Sequence, residues 1–180
     1  MPIPETEQWY VMRTVGHQTE RAIGLRLEEA GIKHFIPLEK KLRKYKDGHK
    51  AIVTTPVVGG LLFCCGKESR IDEQVLRSGR RLQWVYQRGK DSSHHMVVPT
   101  DEMENFIRAV TSGLEEIHYL PISDANAFAG RMVRLHGGPM DGVVGTLVAG
   151  RSKVKRLIVK VGFIMAIEAK LTPEVVEVLE

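Results

Sequence analysis

The side chains able to do chemistry are few, and their spacing gives them little to do it with. His94 and His95 are adjacent, but no further ligand stands at the spacing a zinc site needs, so the pair reads as part of a polar loop. Cys64 and Cys65 are the only cysteines and are also adjacent. Neighbouring side chains of a strand point to opposite faces, so they form no CxxC metal or redox pair and read as reduced packing residues. Gly137-Gly138-Pro139 is followed by no Gly-Lys-Ser/Thr, which removes a phosphate-loop reading. No Ser/His/Asp, Cys/His or paired-carboxylate pattern has a positional logic. The expectation is a protein that is not an enzyme and takes no cofactor or metal.

Binding chemistry is better represented. Residues 39–50 contain Lys40, Lys41, Arg43, Lys44, Lys46 and Lys50 against Glu39 and Asp47. A projecting hairpin with Tyr45 among these lysines has charge to meet phosphates and a ring to stack on a base. The same composition also describes a merely solvated hairpin. A second group, Arg70, Arg77, Arg80, Arg81, Arg88 and Lys90, is spread over helix, turn and strand. A third, Arg151-Ser152-Lys153-Val154-Lys155-Arg156, falls in a loop, where it either meets RNA or keeps a small hydrophobic domain in solution.

The elements that must position these groups follow from patterning. With 180 residues, 43% hydrophobic and 27% charged, the chain has room for one ordinary domain or two small ones. Its net charge of +4 and pI of about 9.1 permit a polyanionic partner without demanding one. The longest apolar stretches, residues 55–65 and 157–169, fall short of the ~20 residues that span a bilayer. The N-terminus lacks the charge and apolar run of a secretory signal. The expectation is cytoplasmic, with no membrane contact.

Trp9–Arg13 predicts a first strand. From His17 to Ala30, Ile23, Leu27 and Ala30 share one helical face, and Gly31 is placed to end that helix. Lys33–Leu38 reads as a short strand, and Ala51–Val58 with Leu61–Cys65 as one long strand bent at Gly59-Gly60. Ser69 is placed to cap a helix over Ile71–Leu76, and Leu82–Gln87 is the next strand. Pro99-Thr100-Asp101-Glu102 opens a helix whose face is Met103, Phe106, Ile107, Val110 and Leu114. The order β-α-β-β-α-β-α describes an α/β sandwich, with helices on one face of a mainly antiparallel sheet. Ile117–Ala127 has no clear period and reads as a linker. Beyond it, five short β-rich runs alternate with glycine turns, as in a small barrel. The fold class is therefore α+β: residues 1–7 a tail, 8–116 the sandwich, 117–127 the linker and 128–180 the barrel.

The sharpest local signal is Gly130-Arg131-Met132-Val133-Arg134-Leu135-His136-Gly137-Gly138-Pro139-Met140-Asp141-Gly142-Val143-Val144-Gly145. It closely resembles the KOW motif, in which a Val/Ile strand leads into Gly-Pro-aromatic, a glycine and a glycine-entered strand. Gly130, Val133, Gly138, Pro139, Met140, Gly142 and Gly145 carry the match, with Met140 in the place of the usual Phe. Upstream, Trp9-Tyr10-Val11, Gly16, Glu20-Arg21-Ala22, Phe35-Ile36-Pro37-Leu38 and Pro56-Val57-Val58-Gly59-Gly60-Leu61-Leu62-Phe63 resemble the N-terminal domain of the NusG family. The two resemblances cover Gln8 to Glu180, in the domain order of bacterial NusG proteins. Length, the Lys-rich hairpin and Val58-Gly59-Gly60-Leu61, where relatives commonly have Phe-Pro-Gly-Tyr or Phe-Pro-Asn-Tyr, look more like a specialised paralogue.

The resemblance implies a monomeric transcription elongation and antitermination factor. Its N-terminal domain would grip the clamp helices of the RNA polymerase β′ subunit in a hydrophobic depression built from Leu61, Phe63 and Trp84, with Val58 and Arg13 at the margin. In the family the regions of Arg21 and Arg77 lie toward DNA, and the hairpin residues Lys40, Lys41, Arg43, Lys44, Tyr45 and Lys46 could meet upstream or non-template DNA, or nascent RNA, by charge and stacking. The KOW domain would recruit a further partner, for which ribosomal protein S10 and Rho are candidates. Two alternatives share much of this grammar: a general NusG coupling polymerase to Rho or the ribosome, and a KOW-type RNA- or ribosome-binding protein.

Overall fold

The computed structural model describes residues 6–16, 19–87, 89, 94–114, 116–149, 154–171 and 175–179. Arg88, Lys90, Arg151 and Lys153, members of the second and third basic groups, lie outside the described residues, as does His17. The chain divides into two compact units, Met1–Val97 and Val98–Glu180.

In the first unit β1 (Gln8–Thr14), α1 (Thr19–Glu29) and β2 (Lys33–Phe35) are followed by a ribbon of β3 (Leu38–Lys44) and β4 (Lys50–Pro56). The chain then runs through β5 (Leu61–Gly66), α2 (Glu68–Arg77) and β6 (Leu82–Trp84), and β7 (Val97–Val98) straddles the junction of the units. The main sheet runs β2-β5-β1-β6, whereas among the described residues β3 and β4 pair only with each other. Gly59-Gly60 is therefore not a bend within one long strand. It is the turn at which the chain leaves the ribbon and enters the sheet.

Gly60 has a φ of +82°, and a Cβ there would lie 2.8 Å from the Thr14 carbonyl oxygen. Both conditions require glycine. The Gly60 carbonyl accepts the Thr14 N–H at 2.7 Å, and its N–H donates to the buried carboxylate of Glu20 on α1.

Antiparallel pairing places directly opposed residues on one face. Met12 opposes Leu62 on one side and Trp84 on the other, while Arg13 opposes Leu61 and Gln83. One face, with Tyr10, Met12, Leu62, Cys64 and Leu82, forms a core with Ile23 and Leu27 of α1, Ile71 of α2 and Ile32. The helical spacing of Ile23 and Leu27 is borne out, and Gly31, at φ +68°, follows α1. On the opposite face Trp9, Val11 and Phe63 are also buried. Two expectations shift by local chemistry. Ser69 lies inside α2, whose N-cap is Lys67 with no side-chain cap, and Leu114 falls beyond the last helix of the sandwich reading, α3 (Thr100–Val110).

In the second unit α3, β8 (Ile117–Pro121), α4 (Ile122–Asn126), β9 (Arg131–His136), β10 (Val144–Ala149), β11 (Lys155–Val161), β12 (Met165–Lys170) and β13 (Val175–Val178) follow in order. The strands form an antiparallel sheet, β13-β9-β10-β11-β12-β8. The stretch read as a linker is thus part of this unit. β8 completes the edge beside β12, and Ala125 of α4 is buried with Val148, Ile158 and Ala166. Its polar residues hid a period too short to see.

Helix α3, grouped by sequence with the sandwich, belongs to this unit as well. The Asn105 amide accepts the Val144 N–H at 2.8 Å and donates to the Val144 carbonyl at 2.7 Å, while Glu102 accepts the Gly162 N–H at 2.9 Å. These side chains satisfy backbone groups of the sheet that would otherwise need water.

Two outcomes are expected in urea denaturation. Glu20→Ala leaves the buried Gly60 N–H unpaired and destabilises the protein by about 1–3 kcal/mol. Gly145→Ala places a Cβ 2.6 Å from the Ile158 carbonyl oxygen and 2.9 Å from Leu157 Cγ, and the overpacking costs about 2 kcal/mol.

Candidate functional site

The pleat of the first sheet separates residues that the sequence reading had gathered into one depression. Leu61, Phe63 and Arg13 project from one face, and Trp84 projects from the other, beside Met12. Trp84 is half-buried and fully engaged. Its indole N–H donates to Asp72 at 2.7 Å, its ring stacks on His95 at 3.8 Å and 5°, and Tyr10 meets it edge-on at 5.2 Å. Phe63 has no exposed surface. A partner meeting the first unit as it stands touches neither ring in bulk. The family resemblance suggested a binding role for Phe63, but in the register it lies between Val11 and Phe35 as a packed residue.

What remains accessible is a rim around the Gly60 turn. Val58 is 46% exposed, Leu61 is half-buried, and Arg13, directly across from Leu61, is exposed. Val15, 45% exposed, follows Thr14, whose N–H is held by the Gly60 carbonyl at 2.7 Å, and so lies next to this turn. Sequence reasoning passed over Val15, although an apolar residue just beyond a strand end was a visible signal. The rim is a small apolar surface with one guanidinium, held by the glycine turn and the Glu20 carboxylate beneath it.

The Lys-rich hairpin is the β3–β4 ribbon, seven residues on each strand, with Leu38 opposite Pro56 and Lys44 opposite Lys50. Lys40, Lys41, Arg43, Lys44 and Lys46 are all exposed. Lys41 is paired with Glu39 at 2.6 Å. Tyr45 is stacked on His49 at 4.3 Å and 8°, with the Arg43 guanidinium 5.5 Å from its centroid, so its ring is already partnered. A groove of about 420 Å³ joins the ribbon base to α1, with Arg21, Leu25, Glu28, His34, Ile36, Leu38 and Thr54 among its walls. Arg21 therefore shares a surface with the ribbon. Arg77 is not among the lining residues: it pairs with Glu73 at 2.6 Å, and its carbonyl accepts a hydrogen bond from Arg26.

Several other residues named by sequence have structural partners. His95 bonds Glu68 at 2.8 Å besides stacking on Trp84, which makes it a clamp on α2. Cys64 is buried, and burial, with a smaller push from Cys65, raises its thiol pKa far above the ordinary value, so it stays protonated and unreactive. Arg156 of the third basic group bonds Glu168 at 2.7 Å, and that hydrogen bond is the main cause of its raised pKa.

In the second unit the glycine-rich motif forms the β9–β10 connection. Val133 and Met140 are buried. Gly142 donates to the Leu135 carbonyl at 2.8 Å and Gly137 to the Asp141 carboxylate at 2.7 Å, and Gly138 and Pro139 complete the exposed turn. Gly130 faces the Leu147 carbonyl and Gly145 the Ile158 carbonyl, so close that a side chain has no room. Phe163 tops the β11–β12 turn and is 90% exposed. An aromatic directly after a glycine was the available clue.

Among the described residues no helix is long and apolar enough to cross a membrane. Comparison with curated proteins returned no match. A family model described as "Transcription termination factor nusG" matches residues 7–107. That match runs from β1 through most of α3 and takes in both the rim and the ribbon. With more than half of its residues matched, the chain belongs to the NusG family of transcription factors.

Proposed function

We propose that this protein is a specialised elongation factor that binds the clamp helices of the RNA polymerase β′ subunit through its N-terminal domain and suppresses pausing or termination on selected operons. The single observation behind this reading is the family match over 7–107, which coincides with an accessible apolar rim and a basic ribbon in one unit. The rim of Val58, Leu61, Val15 and Arg13 suits one apolar side of an amphipathic helix, with Arg13 available to a carboxylate on it. The ribbon lysines and Arg21 supply the positive field toward DNA or nascent RNA.

Residues 128–180 act as a KOW-type barrel that recruits a second partner, and Phe163 is the natural anchor, since a large exposed ring on a rigid turn is a typical hot spot. Clamp binding by one domain then holds the other at high effective concentration beside the emerging transcript. If the clamp is bridged, the open, paused state is depopulated, which is how binding energy becomes antitermination.

Purified core RNA polymerase from the same source provides the test. Val58→Asp with Leu61→Asp should weaken binding by about tenfold or more, as loss of interface anchors does; wild-type affinity in that variant overturns the placement of the rim. Trp84→Ala should lower stability by about 3 kcal/mol while the folded protein keeps its polymerase affinity. Failure of the wild-type protein to bind polymerase overturns the function itself.

A further inference from the structure

The two faces of the β3–β4 ribbon are chemically different. The register puts Leu42 opposite Ile52, Lys44 opposite Lys50 and Lys40 opposite Thr54, all on one face. On the other face Glu39, Lys41 and Arg43 oppose Thr55, Val53 and Ala51. The second face covers itself: Glu39 is paired with Lys41, and Ala51, Val53 and Thr55 are half-buried. The first face is open. Leu42 is 63% and Ile52 72% exposed, an apolar cross-strand pair on a ribbon that, among the described residues, pairs with no third strand.

We propose that this open face enters a groove of duplex DNA, with Leu42 and Ile52 against the base edges and Lys40, Lys44 and Lys50 on the flanking phosphates. The inference rests on the reading of the ribbon as a nucleic-acid contact and names its duplex, its face and its apolar element. Charge complementarity selects the occupant. The face carries three lysines and no acid, and Lys44 directly opposite Lys50 is a like-charge pair that destabilises the ribbon unless an anion lies between the two. The acids nearby are already committed, Glu39 to Lys41 and Asp47 to His49.

Shape selects the form of the polyanion. Seven-residue strands make a ribbon roughly 23 Å long, and the major groove of B-DNA, about 12 Å wide, admits a two-stranded ribbon. The deep, narrow major groove of A-form RNA does not. Single strands are held mainly by free aromatic platforms, and Tyr45 is already occupied by His49 and Arg43. Aliphatic side chains flanked by lysines serve base edges, thymine methyls or a widened step instead.

The test uses the full-length protein without polymerase, by fluorescence anisotropy with a labelled DNA duplex of about two helical turns, the same sequence single-stranded, and an RNA duplex, from roughly 50 to 200 mM salt. The DNA duplex should bind tightest. Leu42→Ser with Ile52→Ser, both at exposed positions, should weaken duplex binding by about tenfold through lost apolar contact while leaving the salt slope unchanged. Lys44→Gln with Lys50→Gln should flatten the log–log salt slope by about 1.8, two phosphate contacts at ~0.9 each.

If the lysine variant flattens the slope but the Ser variant binds as wild type, the inference fails and the basic reading of the ribbon survives. If neither changes binding, or the wild-type protein binds no duplex, both fail. Tighter binding to the single strand or the RNA duplex, or equal competition by polyglutamate, also overturns the duplex-groove assignment.

Discussion

The chain must cross from an unsupported ribbon into the middle of a sheet within a few residues, and the Gly60 turn is where it does so. Glycine is needed there twice over, for a positive φ and for contact with the Thr14 carbonyl. The turn is then held from both sides, by Thr14 of β1 and by the buried Glu20 carboxylate of α1. A buried carboxylate is tolerable because it accepts a charge-assisted bond from a backbone N–H that has no other partner. This junction sets the register of β5 against β1, places Val58 and Leu61 on an accessible rim, and aims the ribbon away from the sheet's own pairing.

The strand pleat does the rest of the sorting in the first unit. A one-residue alternation assigns Met12, Leu62 and Trp84 to the helix-packed core and Arg13 and Leu61 to the opposite face. Trp84, Tyr10 and His95 then form an aromatic stack tied through Asp72 and Glu68 to α2. The partnered indole and imidazole nitrogens make this cluster a positioning device for α2 and β6, since each would be costly to bury alone. The ribbon is the opposite case, a two-stranded element with no core of its own that leaves the opposed Leu42 and Ile52 exposed.

The second unit solves a different problem, the edges and turns of a six-stranded antiparallel sheet. β8 occupies one edge, and α4 fills the space under it with Ala125. Asn105 bonds both backbone groups of Val144, as a neighbouring strand would, and Glu102 holds the Gly162 turn from which Phe163 projects. The glycines of the β9–β10 motif allow backbones to approach where no side chain fits, which is why their spacing was so visible in the sequence.

The sequence by itself determined the family resemblance, the helices α1 and α3, the short strands of the second half and the basic hairpin, because each rests on local periodicity, turn chemistry or charge. It could not tell a bent strand from two strands of different sheets at Gly59-Gly60, since both need the same glycines. It could not see that residues 117–127 build part of a core, because five-residue elements are too short to show a period. Nor could it separate Trp84 from Leu61 and Phe63: spacing along a strand gives alternation, but the sharing of a face depends on which residue lies opposite which. Register and burial are properties of strands brought together from distant parts of the chain, and only the tertiary structure decided them.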